Sequence, residues 1–132
     1  QIDRSLRRGL PPVDQALAAL FADMRASGLL DEILVLVTTE FGRTPKINPD
    51  GGRDHWPGAF SIVLAGAGLK AGHVYGRTDS TATAVEEDPV RPEDLARTVF
   101  TLLGIDPDTV LHSGNRPVRL VKGGRFLEGL LA

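Results

Sequence analysis

Ile33-Leu34-Val35-Leu36-Val37 is an unbroken aliphatic run in which three residues are β-branched. Such a run reads as a strand buried on both faces, the kind found inside an α/β sheet. It closes on Thr38-Thr39-Glu40, which brings a carboxylate to the C-terminal end of the strand. In open α/β sheets that edge is where ligands bind. Arg43, Arg53, Asp54 and His55 follow within fifteen residues of Glu40. Oxygen and imidazole donors beside guanidinium groups suit a metal-assisted site for an anionic, tetrahedral substrate.

The flanking pattern agrees with an α/β unit. Val13, Leu17, Leu20, Phe21 and Met24 recur at helical spacing, with Pro11 and Pro12 just before them. Proline at a first helical position and Asp14 in the first turn predict an N-terminus there, and Gly28 predicts its close. Residues 41–58 are rich in proline and glycine and predict a long functional loop. A second apolar strand is expected over Ala59–Ala65, and a short edge strand at His73-Val74-Tyr75. From Pro92 an amphipathic helix begins, with Glu93 and Asp94 in its first turn, Leu95, Val99, Leu102 and Leu103 on one face, and Gly104 at its end. In the tail, Val118-Arg119-Leu120-Val121 suggests a last short strand.

Composition narrows the function classes. A net charge of −2 gives no electrostatic reason to expect nucleic acid or an anionic membrane as partner. Arg4, Arg7 and Arg8 read as a solvated end. The chain has no cysteine, which removes disulfides, thiolate zinc sites and cysteine nucleophiles from it. No segment approaches the ~18 apolar residues of a membrane helix. The chain opens on Gln1 rather than Met and runs directly into Ile2-Asp3-Arg4-Ser5, so a piece of a longer protein is expected.

Each candidate residue has a plainer alternative. Glu40 is either a metal ligand or the partner of Arg43 or Arg53 in an ion pair that pins the loop. Asp54 and His55 are either adjacent ligands, or a carboxylate orienting a ligating imidazole, or a turn cap beside a histidine packed on Trp56. Trp56 either walls a pocket or fastens the loop to the core. His73 and His112 read as surface histidines. Gly66-x-Gly68 lacks the third glycine and following helix of a dinucleotide fingerprint, and Thr78, Asp79 and Ser80 read as a turn cap. No serine sits in a Gly-x-Ser-x-Gly elbow.

Two blocks carry a resemblance. Glu40-Phe41-Gly42-Arg43-Thr44-Pro45 and Gly52-Arg53-Asp54-His55-Trp56-Pro57, with Leu30-Asp31-Glu32 upstream, resemble the C-terminal half of a large sulfatase-like family that carries a domain-of-unknown-function label. That family is grouped with the alkaline phosphatase, sulfatase and phosphoglycerate mutase superfamily. The order of elements from about residue 13 to residue 121 is similar too. The resemblance implies a partial layered sheet with flanking helices, residues 1–132 being a C-terminal segment of a larger domain. It implies that Glu40 stands for a metal-binding Asp. Phe41 departs from the pattern, standing where His or Asn follows that Asp. His55 is the candidate to replace that ligand, with Asp54 as its partner or as a further ligand.

The expected function is therefore the C-terminal part of a metal-dependent phosphatase- or sulfatase-like hydrolase. Glu40, Asp54 and His55 would serve a divalent metal (zinc, calcium or manganese), and Arg43 and Arg53 would bind the anionic oxygens of a small-molecule or polysaccharide ester. The nucleophile (Ser, Thr or a modified Cys) and further ligands would lie upstream, so this chain is expected to be inactive alone. The alternative is a non-catalytic binding or assembly module on the same fold. Family resemblance makes export of the parent an expectation. An incomplete α/β unit would expose apolar surface, so self-association of the chain is expected.

Overall fold

The computed structural model describes residues 2–132, Gln1 lying outside them. Helix α1 (Ile2–Ala26) leads into a single helical turn, α2 (Leu29–Glu32). Strands β1 (Val35–Val37), β2 (Gly42–Arg43), β3 (His55–Trp56) and β4 (Val63–Ala65) follow. Then come β5 (Arg77–Thr78), β6 (Val85–Glu87), helix α3 (Pro92–Leu102), β7 (Val110–Ser113), β8 (Arg116–Arg119) and a 3₁₀ turn at Glu128–Leu130. The class is mixed α/β.

The sheet pattern departs from the open α/β expectation. The described strands form four two-stranded antiparallel sheets, pairing β1 with β4, β2 with β3, β5 with β6 and β7 with β8. β1 runs antiparallel to β4, with Val35 opposite Ala65 and Val37 opposite Val63. It is not buried on both faces: Leu36 is 39% exposed and Val37 36%. The physical reason is local. α1 packs against α2, not across the sheet, so nothing on the described chain covers both faces of β1.

Other elements differ in position. α1 does not begin at Pro11 but continues back through Pro11 and Pro12 to Ile2. Each proline lacks the N–H that a helix interior uses, so this segment keeps fewer backbone hydrogen bonds than the rest of α1. Gly28 closes the helix in a left-handed conformation, as expected. His73-Val74-Tyr75 forms no regular element, and the strand comes later at Arg77, just before a turn tied by Asp79, whose carboxylate accepts the N–H groups of Thr81, Thr83 and Ala84. The tail strand is Arg116–Arg119, paired with β7, whose polar-flanked sequence gave no signal.

The best-built part of the molecule is where the tail crosses α3. Asp94 and Thr98 are buried together with Leu127 and Val121. Asp94 accepts the N–H of Arg91 at 2.9 Å, one half of a capping box, and the N–H of Arg125 at 2.7 Å. The Thr98 hydroxyl donates to the Asp94 carbonyl at 2.8 Å and accepts the Leu127 N–H at 3.1 Å. The Arg91 N–H chiefly holds the Asp94 carboxyl below its ordinary value of 3.8, against the opposing effect of burial, with Arg125 adding to the lowering. Arg97 fastens the same region, gripping Asp108 with two N–H groups at 3.1 and 2.7 Å.

Elsewhere the core is thin. Met24, Asp94, Thr98, Val121 and Leu127 are the buried residues among those described, while nineteen large hydrophobic residues are exposed. The chain exposes 9784 Å². A compactly folded monomer of this mass exposes about 6,700 Å².

Candidate functional site

Four of the five candidate residues are gathered by one hairpin. β2 and β3 set Gly42 opposite Trp56 and Arg43 opposite His55. Gly42 is required by close approach: a Cβ there would collide with the Ala59 carbonyl oxygen. The hairpin is extended beyond its strands by Thr44, whose N–H donates to the Asp54 carbonyl at 3.0 Å and whose hydroxyl accepts the Asp54 N–H at 3.1 Å.

Asn48 organises the loop between the strands. Its side-chain carbonyl accepts the Gly52 N–H at 2.9 Å, and its amide donates to Asp54 Oδ1 at 2.8 Å. Asp54 is thus held by Asn48. Among the described residues it makes no hydrogen bond to His55. Sequence reasoning missed Asn48, although an Asn ahead of Pro49-Asp50-Gly51-Gly52 is a turn signal that points to it.

His55 is positioned by packing. Phe41 directly precedes β2 and lies two residues from Arg43, and His55 sits opposite Arg43 on β3. The His55 ring stacks on Phe41 with centroids 3.8 Å apart and planes at 22°. The Arg43 guanidinium carbon lies 5.5 Å from the centre of the same Phe41 ring, within cation–π range. Arg43 also donates to the Arg53 carbonyl at 3.2 Å. The plainer reading of a histidine packed on Trp56 is therefore replaced by packing on Phe41. Trp56 instead reaches away, its indole N–H donating to the Thr83 carbonyl at 2.8 Å, which fastens the hairpin to the Asp79 turn. The Thr83 N–H in return chiefly holds the Asp79 carboxyl below its ordinary value.

Glu40 lies just ahead of the hairpin and is exposed. Among the described residues neither Arg43 nor Arg53 forms an ion pair with it, so the loop-pinning alternative is not formed. Nor are three or more His, Asp or Glu side chains gathered to hold a metal ion among the described residues. Arg43, Arg53, Asp54 and His55 are all exposed, on an open surface. A cleft of 450 Å³ lies elsewhere, lined by Phe60, Ile62, His73, Tyr75, Leu95 and Leu127 among others, and none of the five candidate residues lines it. No helix among the described residues is long and apolar enough to cross a membrane.

What the arrangement offers chemically is two guanidinium groups and an imidazole on a braced hairpin, with one neighbouring carboxylate held by an amide and another exposed. No curated protein and no solved structure matches the chain. A family model described as "Protein of unknown function (DUF1501)" matches residues 1–131, and the chain belongs to that family.

Proposed function

We propose that this chain is the C-terminal part of a metal-dependent hydrolase of the alkaline phosphatase and sulfatase type, acting on a phosphate or sulfate ester. The observation that carries the reading is the β2–β3 register, with Arg43 opposite His55 and Arg53 and Asp54 adjoining. Arg43 and Arg53 are planar, permanently charged forks suited to tetrahedral oxyanions. His55, its ring braced by Phe41, and Glu40 are the residues of this chain that would hold a divalent ion such as zinc, calcium or manganese. Their donor types fit such an ion, but with no gathered group of three they fit as part of a ligand set. When bound, the ion would supply Lewis-acid polarisation of the ester oxygen.

Asp54 keeps its place among the candidates with a narrower role. Its carboxylate, held by Asn48, braces the strand that carries His55 and adds negative potential beside it. The two arginines offset that charge for an incoming anion. The nucleophile and remaining donors belong, in this reading, to upstream polypeptide, which gives a parent enzyme acting on an anionic small molecule or polysaccharide ester.

The test has two parts. Phosphatase and arylsulfatase assays of this chain with zinc, calcium or manganese should show no turnover, and robust turnover would overturn the claim that the site is incomplete. Titration with inorganic phosphate and sulfate, followed through the arginine side-chain NMR signals, should move Arg43 and Arg53 and spare Arg97. Equal small shifts at every arginine would overturn the anion site.

One observation favours a second reading. Phe41 stands beside Glu40 where the superfamily pattern has a further ligand, and it covers one face of His55. That is the arrangement expected of a binding or assembly module in which the hairpin grips an anionic polysaccharide without a metal. Anion binding that is indifferent to metal supports this reading over the first.

A further inference from the structure

Asp50-Gly51 is the one Asp-Gly step in the chain. It lies in the turn that closes the hairpin loop. The Gly51 N–H donates to the Asn48 carbonyl at 3.0 Å, and the Asn48 N–H donates to the Gly52 carbonyl at 2.9 Å. Asp50 is exposed, and among the described residues no ion pair holds its carboxylate. Gly51 has a φ of 71°, in the left-handed region that glycine enters freely, and it has no Cβ to crowd its nitrogen. The other places where an Asp or Asn could react in the same way are blocked or hindered. Asn48, Asp88 and Asp106 precede prolines, which have no N–H to give up. Asp79 is held by the N–H groups of Thr81, Thr83 and Ala84, and Asp54 by the amide of Asn48. Each remaining Asp or Asn is followed by a residue with a Cβ.

We infer that Asp50 is a site of spontaneous aspartate isomerisation, and that the change unlocks the loop that Asn48 organises. The Gly51 backbone nitrogen attacks the carbon of the Asp50 side-chain carboxylic acid. A C–N bond forms, a C–O bond breaks, and the carboxyl hydroxyl leaves with the amide proton as water. The product is a five-membered cyclic imide. Water then adds back at one of its two carbonyls. Opening at the side-chain carbonyl restores aspartate, whereas opening at the backbone carbonyl routes the chain through the Asp50 side chain as isoaspartate. No oxidant, reductant or co-reactant is consumed, and the charge is unchanged. The Gly51 turn bond has to open first, and bonds in exposed loops are among the easiest in a protein to open. The isoaspartyl backbone is one methylene longer between residues 50 and 51. Asn48 spans that step with its backbone N–H, its backbone carbonyl and its side-chain carbonyl, so the turn has no slack for the extra atom. Losing it frees the Asn48 amide from Asp54 Oδ1. The Thr44–Asp54 bonds lie beyond the turn and stay.

Prolonged incubation of the whole chain at neutral pH, followed by peptide mapping, tests this. The Asp50 peptide should appear in a second form of unchanged mass and altered retention, preceded by a form lighter by one water. An isoaspartyl methyltransferase with its methyl donor should label that peptide alone. Asp50→Glu, whose imide would need a six-membered ring, should stay unlabelled. Asp50→Asn should convert faster, with ammonia leaving in place of water. In the isomerised chain, separated by chromatography, exchange of the Gly52 amide should rise about fivefold, the loss of one net hydrogen bond, while the Thr44 amide keeps its protection. A folded chain that stays unlabelled overturns the proposal, and labelling of the urea-unfolded chain alone would show that the turn protects the site. Labelling that appears first at Asp54 or Asp79 overturns the choice of residue. Unchanged Gly52 exchange in the isomerised chain overturns the unlocking of the loop.

Discussion

The imidazole of His55 lies on the ring of Phe41, centroids 3.8 Å apart, so a residue expected to be a departure from a ligand pattern is the one that orients the candidate ligand. Neither ring nitrogen of His55 has a hydrogen-bond partner among the described residues, which leaves the stack and the hairpin register to set the ring.

Phe41→Ala should release that ring. The His55 carbon-bound protons, shielded by the Phe41 ring current in the parent, should move downfield in the variant. The stacking itself is worth about 0.5–1.5 kcal/mol, so a modest loss of hairpin stability should accompany the shift. Phe41→Tyr should restore both. Unchanged His55 signals in Phe41→Ala would show that the stack is not formed in solution.

Gly42→Ala should disrupt the hairpin rather than merely stiffen it. The added methyl has no room beside the Ala59 carbonyl, and overpacking of this kind costs roughly 1–3 kcal/mol. Amide exchange at Thr44 and Asp54, which bond across the strand ends, reports the loss directly.

Trp56 is the chain's one tryptophan and hence its own fluorescent probe. Asp79→Ala removes the acceptor that shapes the turn carrying the Thr83 carbonyl. The Trp56 emission should shift to the red as the indole N–H loses that carbonyl. An unshifted spectrum would separate the hairpin from the Asp79 turn.

The α3 crossing should set the acid limit of the fold. Asp94 has a folded-state pKa below its ordinary value of 3.8, so the stability it contributes is fully present above that value. It is lost as the pH falls further, through the folded pKa. Asp94→Ala leaves the N–H groups of Arg91 and Arg125 without their acceptor, at a cost of about 1–3 kcal/mol. Denaturant melts of the parent and of Asp94→Ala should converge as the pH is taken well below 3.8. A constant difference down to the lowest pH would place the stabilisation in another group.

Much of this was legible in particular residues, and the rest fails for identifiable reasons. The helix at Pro92–Leu102 and the left-handed Gly28 and Gly104 follow from local chemistry, because a first-turn proline, first-turn carboxylates and closing glycines act within a few residues. The β1 run was recognisable as a strand, but its partner was not: antiparallel pairing with Val63–Ala65 is a long-range choice that an apolar run does not encode. β7 was invisible because Val110-Leu111-His112-Ser113 is short and half polar. At the candidate site, residue type and spacing were enough to nominate Arg43, Arg53, Asp54 and His55, which one hairpin carries. The bracing by Asn48 and the stacking by Phe41 depend on hairpin register, which spacing alone does not fix.

Zinc titration of this chain, followed through the imidazole NMR signals, asks whether Glu40 and His55 share one ion. Zinc should perturb His55 and spare His73 and His112, and Glu40→Gln should abolish the effect on His55. Zinc that perturbs the three histidines alike, or that still perturbs His55 in Glu40→Gln, would contradict a shared ion.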